Sequence, residues 1–259
     1  MDSWRLCDQW QHLRSVFGSI DQIFNLTGQQ ISHNLGFSEV VLVEAEGRQY
    51  YVKRYYAAGK GIRYFIGTPR IEREWQNLQR FDTWGIPTSQ LVAYGMEYRH
   101  GIFHRGALVT AAIPHSTDLV TLARNCDPHL QDKKWVNSVS HQLAAIARTL
   151  HSQRFIHGDL KWRNILVGDD AKVFLIDSPC GRTLPHGLLQ YHIVKELANI
   201  DRNAKQYGLR RSQRLRFFLQ YLGQSILSHN AKRQLRRILA YRFRRDEAKQ
   251  KMLAKLQQL

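Results

Sequence analysis

A chain of 259 residues, 43% hydrophobic and 11% aromatic with only six prolines, has the composition of a folded protein, long enough for one large domain or two small lobes sharing a cleft. Its 38 Lys and Arg against 21 Asp and Glu leave a net charge of +17, which points to an anionic partner, either nucleic acid or a negatively charged membrane face. Three widely spaced cysteines, Cys7, Cys126 and Cys180, form no CxxC pair, so neither a disulfide framework nor a zinc site is supported and a reducing compartment fits best.

The N-terminal stretch MDSWRLCDQWQHLRS lacks the apolar core of a secretory signal. The longest apolar runs, at residues 40–43 and 108–113, fall far below the ~18 residues of a spanning helix, so a cytoplasmic location is expected. Residues 28–56 read as three strands of an antiparallel meander, separated by "NLGFS" and by the Glu46-Gly47 turn. After Pro69, Ile71, Trp75, Leu78 and Phe81 recur at spacings of three and four and predict an amphipathic helix closing before Gly85. Two further strands are predicted near residues 90–94 and 106–113, the second ending at Pro114. The lobe boundary falls there, giving an N-lobe over 1–113 and a C-lobe over 114–259. Asn137 is the expected N-cap of a helix with Leu143, Ile146, Ala147 and Leu150 on one face. "NILVG" and "KVFLID" then form a hairpin around Asp169-Asp170, and everything beyond about Leu188 reads as helical.

The polar residues around that hairpin carry the chemistry. His157, Asp159 and Asn164 stand in the order H-x-D-x-x-x-x-N, and Asp177 ends the second hairpin strand. This is the spacing of a protein-kinase-like catalytic loop followed by its metal-binding Asp. Upstream, "YYVKRY" sets Lys53 in a strand, and Glu74 lies on the amphipathic helix, where an ion pair with that Lys is expected. Glu72 is the competitor, but Glu74 shares its face better with Leu78 and the apolar stripe.

Each residue type suits transfer of a γ-phosphoryl group. Asp159 would accept the proton of the attacking hydroxyl, while Asn164 and Asp177 offer hard oxygen ligands to Mg²⁺. Lys53 would hold the α/β-phosphates of ATP, with Glu74 fixing its direction, and Lys161 would neutralise the moving phosphoryl group. The phosphate-covering loop is reduced: instead of GxGxxG there is only Gly36 in "HNLGFSEV", and no Walker A sequence is present. His157 is expected to orient the loop by hydrogen bonding rather than titrate. His100 and His104 lie in a Gly-flanked strand connection and do not read as a metal pair. Ser178-Pro179 replaces the Phe-Gly of protein kinases, no APE-like sequence follows, and the next helical pattern begins near Leu188. That leaves little room for a peptide-binding activation loop.

The combination of "YYVKRY", "EREWQNLQRF…GIP", "HGDLKWRNILV", "FLID" and "IVKELANID" resembles the bacterial lipopolysaccharide core kinase family (Kdo/heptose kinases) of the protein-kinase-like superfamily, over roughly residues 30–205. The resemblance implies an α+β, two-lobed protein-kinase-like fold, with a small antiparallel-sheet N-lobe bearing one helix and a larger, mainly helical C-lobe. It also implies ATP with Mg²⁺ and phosphorylation of a heptose or Kdo hydroxyl in the inner core. On that analogy Asp159 is the base, Asn164 and Asp177 the metal ligands, and Lys53 the nucleotide lysine.

From residue 202 to 245 there are thirteen Lys/Arg and no Asp or Glu, while Leu215, Phe218, Leu219, Leu222 and Ile226 repeat as a helical stripe. Such stripes usually face a core, so this one is expected to pack on the C-lobe while the cations bind an anionic surface. The inner-membrane face and the lipopolysaccharide glycolipid are therefore the expected partners of a peripheral protein. No specific nucleic-acid partner is expected, since no RNP-type aromatic sequence accompanies the arginines. The competing readings are a small basic Ser/Thr protein kinase and a degenerate kinase fold that binds anionic lipid or RNA.

Overall fold

The computed structural model describes residues 3–58 and 68–256. The chain divides into two units: Met1–Pro114 together with Ile176–Cys180, and His115–Leu175 together with Gly181–Leu259. The outer limits of the two expected lobes, residues 1 and 259, lie outside the described residues.

The first unit opens with strand β1 (Ser3–Leu6), a 3-10 turn at Asp8–Leu13 and two short helices, α1 (Arg14–Phe17) and α2 (Ile20–Asn25). The meander follows as β2 (Gln29–Asn34), β3 (Ser38–Ala45) and β4 (Arg48–Tyr55), then helix α3 (Arg70–Thr83), β5 (Leu91–Arg99) and β6 (Ile102–Ala111). The strands form one antiparallel sheet in the order β1-β5-β6-β4-β3-β2. Alternation along the strands sends side chains to opposite faces, and both faces are covered. Val41, Val43, Tyr50 and Val52 pack with Leu13, Phe17 and Ile23 in one cluster. Tyr55, Met96 and Leu108 pack with Ile71, Trp75 and Leu78 of α3 in the other. Buried Arg54 ties α2 to the sheet, donating from Nε to the Ile23 carbonyl (2.9 Å) and from Nη1 to Glu39 (2.7 Å).

The β5-β6 hairpin is longer than its sequence suggests. Its tip turns at His100 and Gly101, both with positive φ, and His104 lies in β6 rather than in the connection. β1 adds an edge that the sequence did not announce, pairing with β5 so that Trp4 lies opposite Gly95. A Cβ at Gly95 would fall 2.0 Å from the Ser3 carbonyl oxygen, so only glycine permits this approach.

The second unit begins with β7 (Ser116–Asp118), α4 (Leu119–Arg124), a 3-10 turn at Pro128–Gln131 and the long helix α5 (Lys133–Ser152). α5 starts earlier than the expected cap at Asn137. Asp132 is the N-cap, its carboxylate accepting from Lys134 N–H at 2.8 Å, and Asn137 sits inside the helix as an exposed acceptor for Gln220. The apolar stripe in fact reaches back through Val139 and Val136, both buried, so Asn137 lies within the helical period rather than before it.

Short strands β8 (Phe155–Ile156), β9 (Ile165–Gly168), β10 (Val173–Leu175) and β11 (Arg182–Thr183) make two small sheets, β10-β9-β7 and β11-β8. Helices α6 (His186–Gln206), α7 (Arg211–Leu222) and α8 (His229–Leu256) complete the unit, with α7 against α5 and α8 against α6. In the predicted stripe, Phe218 is buried and Leu215, Leu219 and Leu222 are half-buried, whereas Ile226 lies beyond α7 and is exposed.

Gly95→Ala is expected to push β1 off the sheet edge and cost about 1–3 kcal/mol. Faster amide exchange in residues 3–6, with a lower midpoint of chemical unfolding, would register it. Unchanged exchange there would contradict the close approach.

Candidate active site

In the first unit the site is organised around one cation. β4 lies between β3 and β6, so Lys53, opposite Val40 and Leu108, springs from the interior of the sheet. Its ammonium donates to both carboxylate oxygens of Glu74, at 2.9 and 3.0 Å, and to Oδ1 of Asp177 at 2.9 Å. Glu74 is 5% exposed and shares the buried face of α3 with Ile71, Trp75, Asn77, Leu78 and Phe81. Tyr55 also donates its hydroxyl to Glu74. Burial alone would push the Lys53 ammonium down, but Glu74, then Tyr55 and Asp177, outweigh it and hold the amine well above its ordinary range. Burial and the neighbouring Glu74 charge push the Tyr55 phenol up, so it remains a donor.

Glu72 takes no part in this ion pair: its carboxylate accepts from Gln76 one turn along α3. Asp177 has φ +58, and its carboxylate stays 41% exposed despite the contact with Lys53, which leaves it accessible to a ligand. Ser178, next in sequence, is 1% exposed, and its carbonyl accepts from Asn77 at 2.7 Å. Gly36 stands in the β2-β3 turn with φ +68 and open space where a Cβ would project. The glycine is required there by backbone conformation rather than by crowding.

In the second unit the loop between β8 and β9 gathers His157, Asp159, Lys161 and Asn164. His157 is fully buried, and its Nδ1 accepts from the Asp159 N–H at 3.4 Å, so the imidazole braces the turn. Asn164 Nδ2 donates to the Asp159 carbonyl (2.9 Å) and to its Oδ2 (3.2 Å). Both donations point the amide nitrogen at Asp159 and turn the amide oxygen the other way. Lys161 pairs with one oxygen of Asp159 and Arg163 donates to the other at 2.6 Å. Burial would raise the Asp159 carboxyl, but the two cations prevail and hold it below its usual range.

The loop is fastened from below. Gly158 N–H donates to Glu196 on α6 at 2.6 Å, and the other oxygen of that carboxylate meets His151 Nε2 at 3.1 Å, with His151 Nδ1 2.9 Å from Tyr221 OH. Trp162 N–H reaches Asn203, and its ring stacks on Tyr207 with centroids 5.3 Å apart.

Sequence reasoning missed Tyr55, Asn77, Arg163 and Glu196 as parts of this arrangement. Glu196 had a signal, an acidic residue within the apolar run "IVKELANI", since a carboxylate on a buried helical face needs a partner. Tyr55 stands two residues after Lys53 in "YYVKRY" and carried no signal of its own. Among the described residues no three His, Cys, Asp or Glu cluster as a metal site. A metal carried in with a nucleotide needs fewer protein ligands, because phosphates and water complete its shell. Taken separately, the Asp177 carboxylate of the first unit and the Asn164 amide oxygen of the second are each hard oxygen donors of the kind Mg²⁺ takes.

Residues 27–221 match the model of the lipopolysaccharide kinase (Kdo/WaaP) family. A 3-deoxy-D-manno-octulosonic acid kinase of Vibrio cholerae serotype O1 is 25% identical over 108 residues, 42% of this chain and 43% of that protein. A probable serine/threonine-protein kinase of Fowlpox virus is 32% identical over 109 residues, 40% of this chain and 32% of that protein. The chain thus spans less than half the length of these curated relatives. Among solved structures, WaaP in complex with acyl carrier protein is similar in fold, with a TM-score of 0.73 at 21% identity, covering 95% of this chain and 98% of that one. The expected α+β kinase-like fold class agrees with this likeness.

Glu74→Gln leaves a buried ammonium facing a neutral amide and is expected to cost about 2–3 kcal/mol of stability. Glu72→Gln should stay within about 0.5 kcal/mol. Urea unfolding of the two variants checks the assignment, and equal losses would contradict it.

Proposed function

This chain belongs to the lipopolysaccharide kinase (Kdo/WaaP) family, and we propose that it transfers the γ-phosphate of ATP, with Mg²⁺, to a heptose or Kdo hydroxyl of the lipopolysaccharide inner core. The observation that carries this reading is the Lys53 ammonium held by Glu74 and Asp177 together. Residues from a strand, a helix and the end of a distant hairpin meet there, as a phosphoryl-transfer site requires.

In this proposal Lys53 holds the α/β-phosphates and Glu74 keeps its ammonium directed. Gly36 lets the β2-β3 turn come close to the nucleotide. Asn164 and Asp177 hold the metal, which when bound neutralises charge on the phosphates. Asp159 orients the sugar hydroxyl and accepts its proton as the oxygen attacks phosphorus. Lys161 and Arg163 hold its carboxyl below the usual range, and Asn164 fixes the carboxylate in place. Lys161, beside that carboxylate, offsets the negative charge of the moving phosphoryl group.

The acceptor is a membrane glycolipid, and the basic C-terminal third supports a peripheral position on the cytoplasmic face of the inner membrane. Arg202, Arg214 and Arg242 are paired with Asp246 and Asp201, whereas the other ten cations between 202 and 245 are exposed. Exposed cations can each add up to about 1 kcal/mol at an anionic leaflet. No helix among the described residues is long and apolar enough to cross a membrane. The competing protein-kinase reading draws on the poxviral relative, and transfer of label to protein rather than glycolipid would favour it.

The test is mass spectrometry of the lipopolysaccharide core from a deletion strain complemented with wild type or Asp159→Ala. One phosphate should be lost in the deletion and restored by the wild type alone, and an unchanged core would overturn the proposal. The pH dependence supplies a second check. The cations depress the Asp159 carboxyl, so Lys161→Met should let it rise toward its ordinary value and move the acid limb of kcat/KM to higher pH. A limb that stays in place would assign it to another group.

A further inference from the structure

The segment after Asp177 departs most from the protein-kinase pattern, and the first unit holds it in an unusual way. Asn77 lies on the same face of α3 as Glu74, three residues on, and is 1% exposed. Its Oδ1 accepts from Arg80 Nη1 at 3.1 Å, and its Nδ2 donates to the Ser178 carbonyl at 2.7 Å. A guanidinium can only donate, so Arg80 fixes which end of the amide faces it and turns the nitrogen toward Ser178.

The backbone at this point makes opposing demands. Asp177 is in the left-handed region at φ +58, which non-glycine residues disfavour. Ser178 precedes Pro179, which bars it from the helical region and removes the next backbone donor. The Ser178 hydroxyl, also buried, has no hydrogen-bond partner among the described residues. Where protein kinases have Phe-Gly, the packing of the Phe sets the active or inactive position of the preceding Asp. Here a side-chain amide grips the backbone instead.

We propose that Asn77 is a positioning residue for the metal-binding carboxylate: by clamping the Ser178 carbonyl it makes α3 hold Asp177 and the Lys53-Glu74 pair as one rigid set. The set does not toggle as a Phe-Gly segment can. The inference rests on Asp177 being a metal ligand, as in the proposed function.

Purified full-length Asn77→Asp keeps the size and the acceptor toward Arg80 but turns a carboxylate toward the Ser178 carbonyl. Amide exchange across residues 176–181 should rise about tenfold, the equivalent of one lost buried hydrogen bond. The Mg²⁺ concentration that half-saturates ATP binding, read by calorimetry, should rise by about the same factor. ATP affinity without Mg²⁺, which depends on Lys53, should stay within about twofold on the same reasoning. A general loss of structure would weaken both affinities alike, and that result overturns the proposal. So does unchanged exchange, or faster exchange with an unchanged Mg²⁺ requirement. If Asn77→Asp does not fold, Asn77→Leu, which keeps the branched shape with two methyls in place of the amide and removes both bonds, is held to the same outcomes. Asp177→Asn separates the two levels. If it retains the Mg²⁺ dependence, the metal assignment fails. If it loses that dependence while the Asn77 variants do not, the clamp alone is wrong.

Discussion

A lysine in the middle of a sheet, with its ammonium largely withdrawn from water, is tolerated only if opposite charge comes to it. Lys53 imposes that condition on the first unit. It accounts for a carboxylate on the buried face of α3, where a helix facing a core would otherwise carry another aliphatic residue. It also accounts for five residues, Ile176–Cys180, joining a unit whose other residues end at Pro114. Tyr55 completes the arrangement by donating to Glu74. Such a cluster is a poor way to gain stability, since apolar packing would serve as well. Its retention fits a group that has to meet a phosphate.

The second unit solves a different problem. A loop carrying an ionised Asp has few regular backbone bonds to hold it, so its neighbours supply them. Glu196 takes the Gly158 N–H and is itself held by His151 and, through it, Tyr221. Asn203 takes the N–H of Trp162. Helices α5, α6 and α7 therefore support the loop through polar side chains as well as through their apolar faces. The cations of Lys161 and Arg163 act on the exposed side of the same carboxylate, where solvent weakens each pair. Together they hold the Asp159 carboxyl below its usual range.

How much of this was legible in the sequence depended on whether the signal was local. Lys53, Glu74, Asp159, Asn164 and Asp177 stand at fixed distances from apolar runs whose periods reveal strand or helix, so element and residue could be read together. β1, α1 and α2 are too short to show a period. Asp132 was passed over because Asn137, another good capping residue, stands just ahead of the part of the stripe from Leu143 to Leu150, although Val136 and Val139 carry that stripe back toward Asp132. Glu196 with His151 and Asn77 with Ser178 join residues far apart in the chain, and no local pattern records such a pairing. The basic tail was legible as charge alone. The sequence did not show that three of its arginines are drawn into ion pairs with Asp201 and Asp246 while the rest face outward.

The proposed phosphorylation of a core sugar can be tested with purified components. Protein, ATP, Mg²⁺ and a dephosphorylated inner-core glycolipid would be incubated and the glycolipid examined by phosphorus NMR. The account predicts a new sugar phosphate monoester, formed one for one with ADP and absent when Mg²⁺ is removed. ATP turnover with no ester on the sugar, or phosphate appearing on the protein instead, would contradict it.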